Sequence, residues 1–526
     1  MKKRTIANIF YLLFFIIQLV AEGIAAYVLH KLNMLPDTLL YIVYGVLGFF
    51  LVLTAGLLFI RVKGRTKEER RQRRRKAVTK TSVIGVILSI IFSFVSLVGC
   101  YAVQRLEKTI NTITTRVEVS DVIGVYVMNQ DPAQELTDAK DYNFGFNSSY
   151  DAENTQKTIA AINTELGKAV QTTEYANAFI MMEALYSGEV KAAILNEAYV
   201  GVLRQDEEYQ NVEQEIRLIY EFNITREVPV EEGEAEEREP GEEVQTPEIE
   251  ATEPVEDVTQ EPFVVYLSGS DTRNAMLATS RSDVNILAVI NPSSREVLLI
   301  NTPRDYYVQI SIGGGSYDKL THCGIYGIDC SIDTLAALYG VKVNYYAQIN
   351  FNGFETLIDS LGGISVYSEQ AFVADDGSVF IEGDNLLDGE RALAFARERH
   401  AFADGDNARG RNQMKIISAV IKKASSSTAI VTNYDQILTS LEGMFVTDMT
   451  AEEISNLVKM HLADGGNWNV HSFAVTGFNG SDVTYSMPGR QTYVMYQDEA
   501  AVSKAKSLIS RVLNGDNLDD SDVAAD

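Results

Sequence analysis

Four short segments of this 526-residue chain concentrate the side chains that could do chemistry. They are Gly269-Ser270-Asp271-Thr272-Arg273, Arg281-Ser282-Asp283, Pro303-Arg304-Asp305, and a longer stretch over 387–413 that reads LDGERALAFARERHAFADGDNARGRNQ. Planar guanidinium groups bind phosphate oxygens through paired hydrogen bonds. Carboxylates such as Asp271 and Asp283 repel phosphate directly, but they can hold Mg2+, which keeps few protein ligands and bridges to phosphates. Several arginines beside two metal-holding aspartates would neutralise charge during an in-line displacement at phosphorus. Each triplet alone reads as a surface ion pair; their joint occurrence, in order, points to a pyrophosphate pocket.

Helical geometry sorts the last segment. Arg409, Gln413, Ile416 and Val420 share one face at i, i+4, i+7 and i+11, so Arg409 lies with core-seeking aliphatics and needs an anionic partner. Arg411 falls about 200° away, on the solvent side with Lys415 and Lys422, and is left out of the site. Asp406, near the start of this helix, reads either as an N-cap or dipole partner or as part of the site. Arg397 and Arg399 are two residues apart at the end of a helical pattern. An ideal helix cannot aim both at one ligand, so the helix is expected to stop near Arg397 and the chain to leave extended.

These segments adjoin apolar runs. Over 263–267, 285–290, 297–300, 345–349 and 364–367 the runs are β-rich; helical patterns fill 329–339, 353–361, 389–397, 407–424 and 451–462. Strands alternating with helices predict a layered α/β domain with a central mixed sheet over 263–515, followed by an acidic tail, 516–526. Strand ends are where such folds place sites. Residues 105–226 predict a smaller α/β accessory domain with strands near 122–127, 192–195 and 216–222 and helices over 154–166 and 175–186, without a chemical constellation of its own.

Three apolar runs, 9–29, 38–60 and 82–102, each have about 20 residues, the length that crosses the bilayer core. Glu22 is the one charge inside them and is expected at an exposed or headgroup position near a helix end. The segment 61–80 holds eleven Lys/Arg and two Glu. With Lys2, Lys3 and Arg4 it predicts a cytoplasmic loop, a membrane region over 1–104, and everything after about residue 104 outside the cell. The net charge of −27 argues against a nucleic-acid partner. Fifteen acidic residues and one basic residue crowd 227–261, so 227–262 is expected to be a disordered Glu/Pro-rich linker. Three cysteines are too few for a disulfide scaffold; Cys100 reads as a membrane-buried thiol, while Cys323 and Cys330 could pair.

The segments GSDTR, RSD, TPRD, DKLTH, NYYAQINFNGFETLIDSLGGISV and the 387–413 stretch resemble, in order, the signature segments of the LytR-CpsA-Psr family. The three spans and the accessory domain look like its capsule-associated branch. The resemblance implies a multi-pass protein of a Gram-positive cell membrane, with its catalytic domain on the extracytoplasmic side. The implied activity moves a glycopolymer, capsular polysaccharide first and teichoic acid next, from undecaprenyl pyrophosphate to peptidoglycan. By matching motifs, Asp271 and Asp283 would hold Mg2+, and Arg304, Arg397, Arg399, Arg409 and Gln413 would surround the pyrophosphate. Arg304, Arg397, Arg399 and Asp406 would act in catalysis, Asp406 as general base or arginine organiser. The polyprenyl tail would enter an apolar tunnel, with Ala394, Phe395, Phe351 and Phe354 as lining or as core. Asn301-Thr302 and Asn412 depart from the common pattern at positions of local packing. Two other readings stand beside it: a polyprenyl-pyrophosphate binder or chain-length regulator that uses the same pocket without transfer, and a membrane-bound transcriptional attenuator that acts through the basic loop. The basic loop could also receive a capsule-assembly kinase or adaptor.

Overall fold

A computed structural model describes residues 2–32, 35–59, 80–147, 152–229, 252–270, 280–426, 441 and 444–524. They divide into two compact units, Met1–Asn111 with Ala451–Gly466, and Thr112–Thr450 with Asn467–Asp526.

The first unit holds α1 (Lys2–Leu32), α2 (Asp37–Phe59) and α3 (Lys80–Thr115). Each contains a segment long and apolar enough to cross a membrane. In an apolar surrounding, helices are held by packing and by polar groups that find each other. Ser89 Oγ of α3 donates to the Phe14 carbonyl of α1 at 2.9 Å, and the Phe50 and Phe92 rings stack at 4.1 Å between α2 and α3. Glu22 departs from its expected exposed position: it is 2% exposed and accepts a 2.7 Å hydrogen bond from Gln18 one turn earlier. A polar partner at i−4 lets the carboxyl turn inward, where the headgroup region would otherwise have taken it. The basic segment 61–80 lies outside the described residues except for Lys80.

The second unit is built on two sheets. In the accessory part, β1 (Arg116–Met128), β2 (Asn143–Phe146), β3 (Gln171–Glu174), β4 (Ala192–Asn196) and β5 (Ile216–Pro229) assemble in the order β3-β2-β4-β1-β5. Successive residues of a strand face opposite sides. Ile123, Val125 and Val127 accordingly enter one core with Phe144 and Ile162, while Tyr126 enters another with Phe179, Met182 and Tyr209. This second core also takes in Ile325 and Met487 of the catalytic part.

The catalytic sheet comprises β6 (Phe263–Ser270), β7 (Ser282–Asn291), β8 (Glu296–Asn301) and β11 (Tyr345–Asn350), flanked by strands Phe445–Thr447 and Asn469–Ala474. The two short strands β9 (Tyr307–Gln309) and β10 (Tyr317–Lys319) form a separate hairpin. β6, β7 and β8 run antiparallel, whereas β11 is parallel to β6, so the sheet is mixed. Every residue of β8 is buried, as a strand covered on both faces must be.

Three boundary expectations change. The run 227–262 is not one linker: β5 extends through Pro229, and 252–262 packs on the catalytic part. There Val255 and Val258 interrupt the acidic run. Val258 is 2% exposed, Glu253 N–H donates to the Val343 carbonyl at 3.1 Å and Val255 N–H to the Tyr345 hydroxyl at 3.2 Å. Residues 230–251 lie outside the described residues. The acidic tail is likewise tied down, because Arg511 holds both oxygens of Asp522, at 2.6 and 3.0 Å, and Leu518 is buried. Finally, residues 451–466, inside the span assigned to the catalytic domain, group with the apolar helices.

Candidate active site

The C-terminal ends of β6, β8 and β11 and the N-terminal end of antiparallel β7 meet at one edge of the catalytic sheet. Gly269, Asp283, Arg304 and Asn350, at or just beyond those ends, line one cavity of about 1160 Å³. The pairing of β6 with β7 slips there: Gly269 faces Val284 while Ser270 faces Ser282, leaving Asp283 as the extra residue of a bulge. A bulge bends its strand and re-aims a side chain. The Asp283 Oδ1 accepts a 2.6 Å hydrogen bond from Arg304 Nη1, and both side chains are mostly buried.

Arg304 lies next to Asp305, with 3.8 Å between Nε and Oδ2, and Lys319 approaches the other oxygen of Asp305 at 3.3 Å. Burial alone would raise the Asp305 carboxyl, but Lys319 and Arg304 outweigh it and hold it below the ordinary aspartate value. Lys319 is 3% exposed, and burial lowers its ammonium despite Asp305.

The other cations come from a different layer. The helix Gly389–Arg397 ends at Arg397, and Glu398 is already extended (φ −65°, ψ 130°), as the spacing of the two arginines required. Arg397 and Arg399 both line the cavity and are exposed to it. The Arg397 guanidinium sits 4.7 Å over the Phe351 ring, a cation–π contact that orients it. Between the two arginines, Glu398 is buried. Its oxygens accept the backbone N–H groups of Ala401 at 2.7 Å and Asp375 at 2.9 Å, which fixes the extended segment. Asp375, Glu398 and His400 form the one cluster of metal-ligand composition among the described residues; its observed work is this pinning, with His400 bonded to Asp375 at 2.7 Å.

The helix Asp406–Ser426 brings Arg409 and Gln413 to the same cavity, each under 10% exposed. Arg409 finds its anionic partner in Asp406, one turn back. Asp406 is the first residue of the helix, and burial raises its carboxyl above the ordinary value; Arg409 opposes the rise, while Asp305 adds to it. Arg411 points away and pairs with Asp404 at 2.6 Å, both more than 40% exposed.

The cavity also has an apolar lining. Phe351, Phe354, Ala394, Leu393, Ile416 and Val420 line it. Phe395 does not: fully buried, it packs on Phe372 and Phe380 in the core behind.

The expected sites therefore converge in Asp283, Arg304, Arg397, Arg399, Arg409 and Gln413, with Asp406 joined through Arg409. Asp271 lies outside the described residues. Asp283 is an oxygen donor on the cavity wall beside Arg304, a donor type that fits a hard divalent cation. Asp305, Lys319 and His322 were not singled out as site residues; the pairing of DKLTH with the PRD segment was the available signal. Cys323 and Cys330 are free thiols, buried and hydrogen-bonded to each other, and Cys100 is free and buried as well.

The chain matches the LytR_cpsA_psr family over residues 228–507, more than half of its length. It belongs to the LytR-CpsA-Psr family. It is 32% identical over 242 residues to a polyisoprenyl-teichoic acid–peptidoglycan teichoic acid transferase TagU of Enterococcus faecalis, covering 46% of this chain and 79% of that protein. The TagU of Bacillus mycoides is 32% identical over 200 residues, 38% of this chain and 64% of that protein. The crystal structure of B. subtilis TagV superposes with a TM-score of 0.41 at 24% identity, covering 48% of this chain and 98% of that one.

Proposed function

We propose that this protein is an extracytoplasmic phosphotransferase that moves a cell-wall glycopolymer from a polyprenyl pyrophosphate to peptidoglycan. The observation that carries the reading is one cavity that gathers Arg304, Arg397, Arg399 and Arg409 together with the apolar side chains Phe351, Phe354, Ile416 and Val420. A pyrophosphate joined to a polyprenyl chain needs both. Arg304, Arg397, Arg399, Arg409 and Gln413 would bind and orient the two phosphates, arriving from a strand end, an extended segment and a helix. Phe351, Phe354 and Ile416 would hold the lipid. The acceptor hydroxyl forms a new bond to the polymer-linked phosphorus, the bridging P–O bond breaks, and the lipid leaves as its monophosphate. Asp406, whose carboxyl burial raises and which pairs with the cavity-lining Arg409, would take the hydroxyl proton. Asp283, with Asp271 from the adjoining segment, would hold Mg2+, which supplies positive charge to the phosphate oxygens. The names of the relatives support a teichoic-acid polymer; the three spans with the accessory part resemble the capsule-associated branch.

A transfer assay with a lipid-pyrophosphate donor and peptidoglycan acceptor tests this. Wild-type activity should vanish in EDTA and return with Mg2+, and Asp283→Ala should fail alike while its melting curve stays cooperative. Undiminished transfer in EDTA would remove the metal role, and no transfer under any condition would remove the phosphotransferase.

The reading needs the catalytic part outside the cell, with 61–80 inside, as the positive charge of that segment requires. Single cysteines introduced into a Cys-free chain should be labelled in intact cells at position 243 and only after permeabilisation within 61–80. The reverse pattern would place the site in the cytoplasm.

A further inference from the structure

The accessory part reaches into the catalytic cavity. Gly201, Arg204 and Gln205 lie just after β4, in and beyond the short helix Glu197–Leu203, and all three line the cavity. The junction is fixed by Arg490 of the catalytic part. It bonds Glu183, Asp206 and Glu208 at 2.7–3.1 Å and sits 4.8 Å over the Phe179 ring. Gln205 is the neighbour of Asp206, so this clamp positions it.

Gln205 makes two contacts that nothing else in the described network duplicates. Its Oε1 accepts from the Lys319 ammonium at 2.6 Å. Because an ammonium only donates, this fixes the orientation of the amide. Its Nε2 therefore donates to His322 Nε2 at 2.8 Å, and His322 carries its proton on Nδ1, bonded to Asp318 Oδ1 at 2.7 Å. Ser486 closes the group, its N–H on Asp318 Oδ2 at 2.8 Å and its hydroxyl 2.7 Å from His322 Nδ1. All of these catalytic-part residues are under 4% exposed. Lys319 continues the chain to Asp305, and Asp305 to Arg304.

We propose that Gln205 is a positioning residue: from the accessory part it holds Lys319 against Asp305 and so sets the placement of Arg304 at the pyrophosphate. The accessory part is then a component of the site and not a spacer. Lys319 has a long, flexible stem, and with Asp305 as its only acceptor it could swing. The amide removes that freedom before substrate arrives, and this preorganisation serves the transition state more than binding.

The inference rests on the phosphotransferase reading and is tested in the same assay with the full-length protein in detergent. Gln205→Leu keeps the bulk and loses both hydrogen bonds; its kcat should fall ~10-fold, the worth of one hydrogen bond to a charged group, while the donor KM moves less than ~3-fold. Gln205→Glu still accepts from Lys319 and should stay within ~3-fold of wild type. Gln205→Asn, too short to reach both partners, should resemble Gln205→Leu and serves if that variant does not fold. Lys168→Ala, which breaks only an exposed pair with Asp141 elsewhere in the accessory part, should leave kcat unchanged. Wild-type kcat in Gln205→Leu and Gln205→Asn would overturn the proposal, and so would equal losses in Gln205→Leu and Gln205→Glu, which would mean mere junction packing. A wild-type protein that neither transfers nor binds a polyprenyl-pyrophosphate-linked disaccharide would overturn the phosphotransferase reading together with it.

Discussion

Arg304→Ala should lower kcat/KM for transfer by ~150-fold, the upper end of what one charge-assisted phosphate contact contributes. The upper end is expected because this guanidinium does two jobs. In the proposed reaction it would face the pyrophosphate, and it neutralises Asp283 at 2.6 Å and stands beside Asp305. Without it, two carboxylates confront an incoming anion. A second change tells these jobs apart. Asp283→Ala added to Arg304→Ala removes part of the repulsion, so donor binding should recover while kcat stays low. Arg304→Lys should recover only a part, because an ammonium cannot span two acceptors as the planar fork does. Full transfer by Arg304→Ala, in a protein that melts like wild type, would sink the placement of the pyrophosphate at this strand end.

That strand end was readable in the sequence because two independent patterns coincide there. Apolar β-rich runs end at 267 and 300 and another begins at 285, and a charged segment lies within a few residues of each of these points. Helical phase placed Arg409 and Gln413 inward and Arg411 outward, and the structure agrees. Phase works on that helix because its buried face carries an arginine, so one burial pattern sorts charges as well as aliphatics. The two-residue spacing of Arg397 and Arg399 demanded a helix end, which Glu398 provides.

Other features had no local signal. The bulge at Asp283 follows from the register between β6 and β7, which no single strand encodes. Gln205 and Lys319 are 114 positions apart, and neither is unusual for its neighbourhood. The hairpin of Gly477–Val483 with Gln491–Gln497 carries Asn, Ser, Asp and Thr at strand positions, so it lacked the apolar alternation that marks a strand. The acidic run misled in the opposite way. Its composition forbids a core, yet its end docks beside β11: Val258 is buried, and the Glu253 and Val255 N–H groups reach the Val343 carbonyl and the Tyr345 hydroxyl. Composition averages over a window and does not register a few docked residues at its end.

The helix that carries Arg409 also provides the sharper test of the chemistry, because it bears a functional and a structural arginine two residues apart. Arg409→Ala should cost ~10- to 150-fold in transfer, as a lost phosphate contact does, whereas Arg411→Ala, which breaks only an exposed pair with Asp404, should stay within ~2-fold. The pH dependence separates the two more cleanly than the rate. Burial already raises the Asp406 carboxyl, and the Arg409 charge is the main influence pulling it back. A general base works deprotonated, so transfer should rise with pH through this raised value. Removing Arg409 lifts the value further and moves the acid limb of the rate profile to higher pH. Removing Arg411 leaves the limb where it is, and Asp406→Asn abolishes it together with most of the rate. Stability runs the other way. A carboxyl whose folded value is raised binds its proton more tightly in the folded state, so Asp406 favours folding below its ordinary value. That contribution is lost as pH rises through the raised value. The stability contribution thus begins to fall at the ordinary aspartate value and is gone by the pH at which Asp406 becomes an effective base. Melting temperatures of wild type and Asp406→Asn should draw apart across that window. If they stay parallel while the rate profile shifts, the group titrating in the rate is not Asp406.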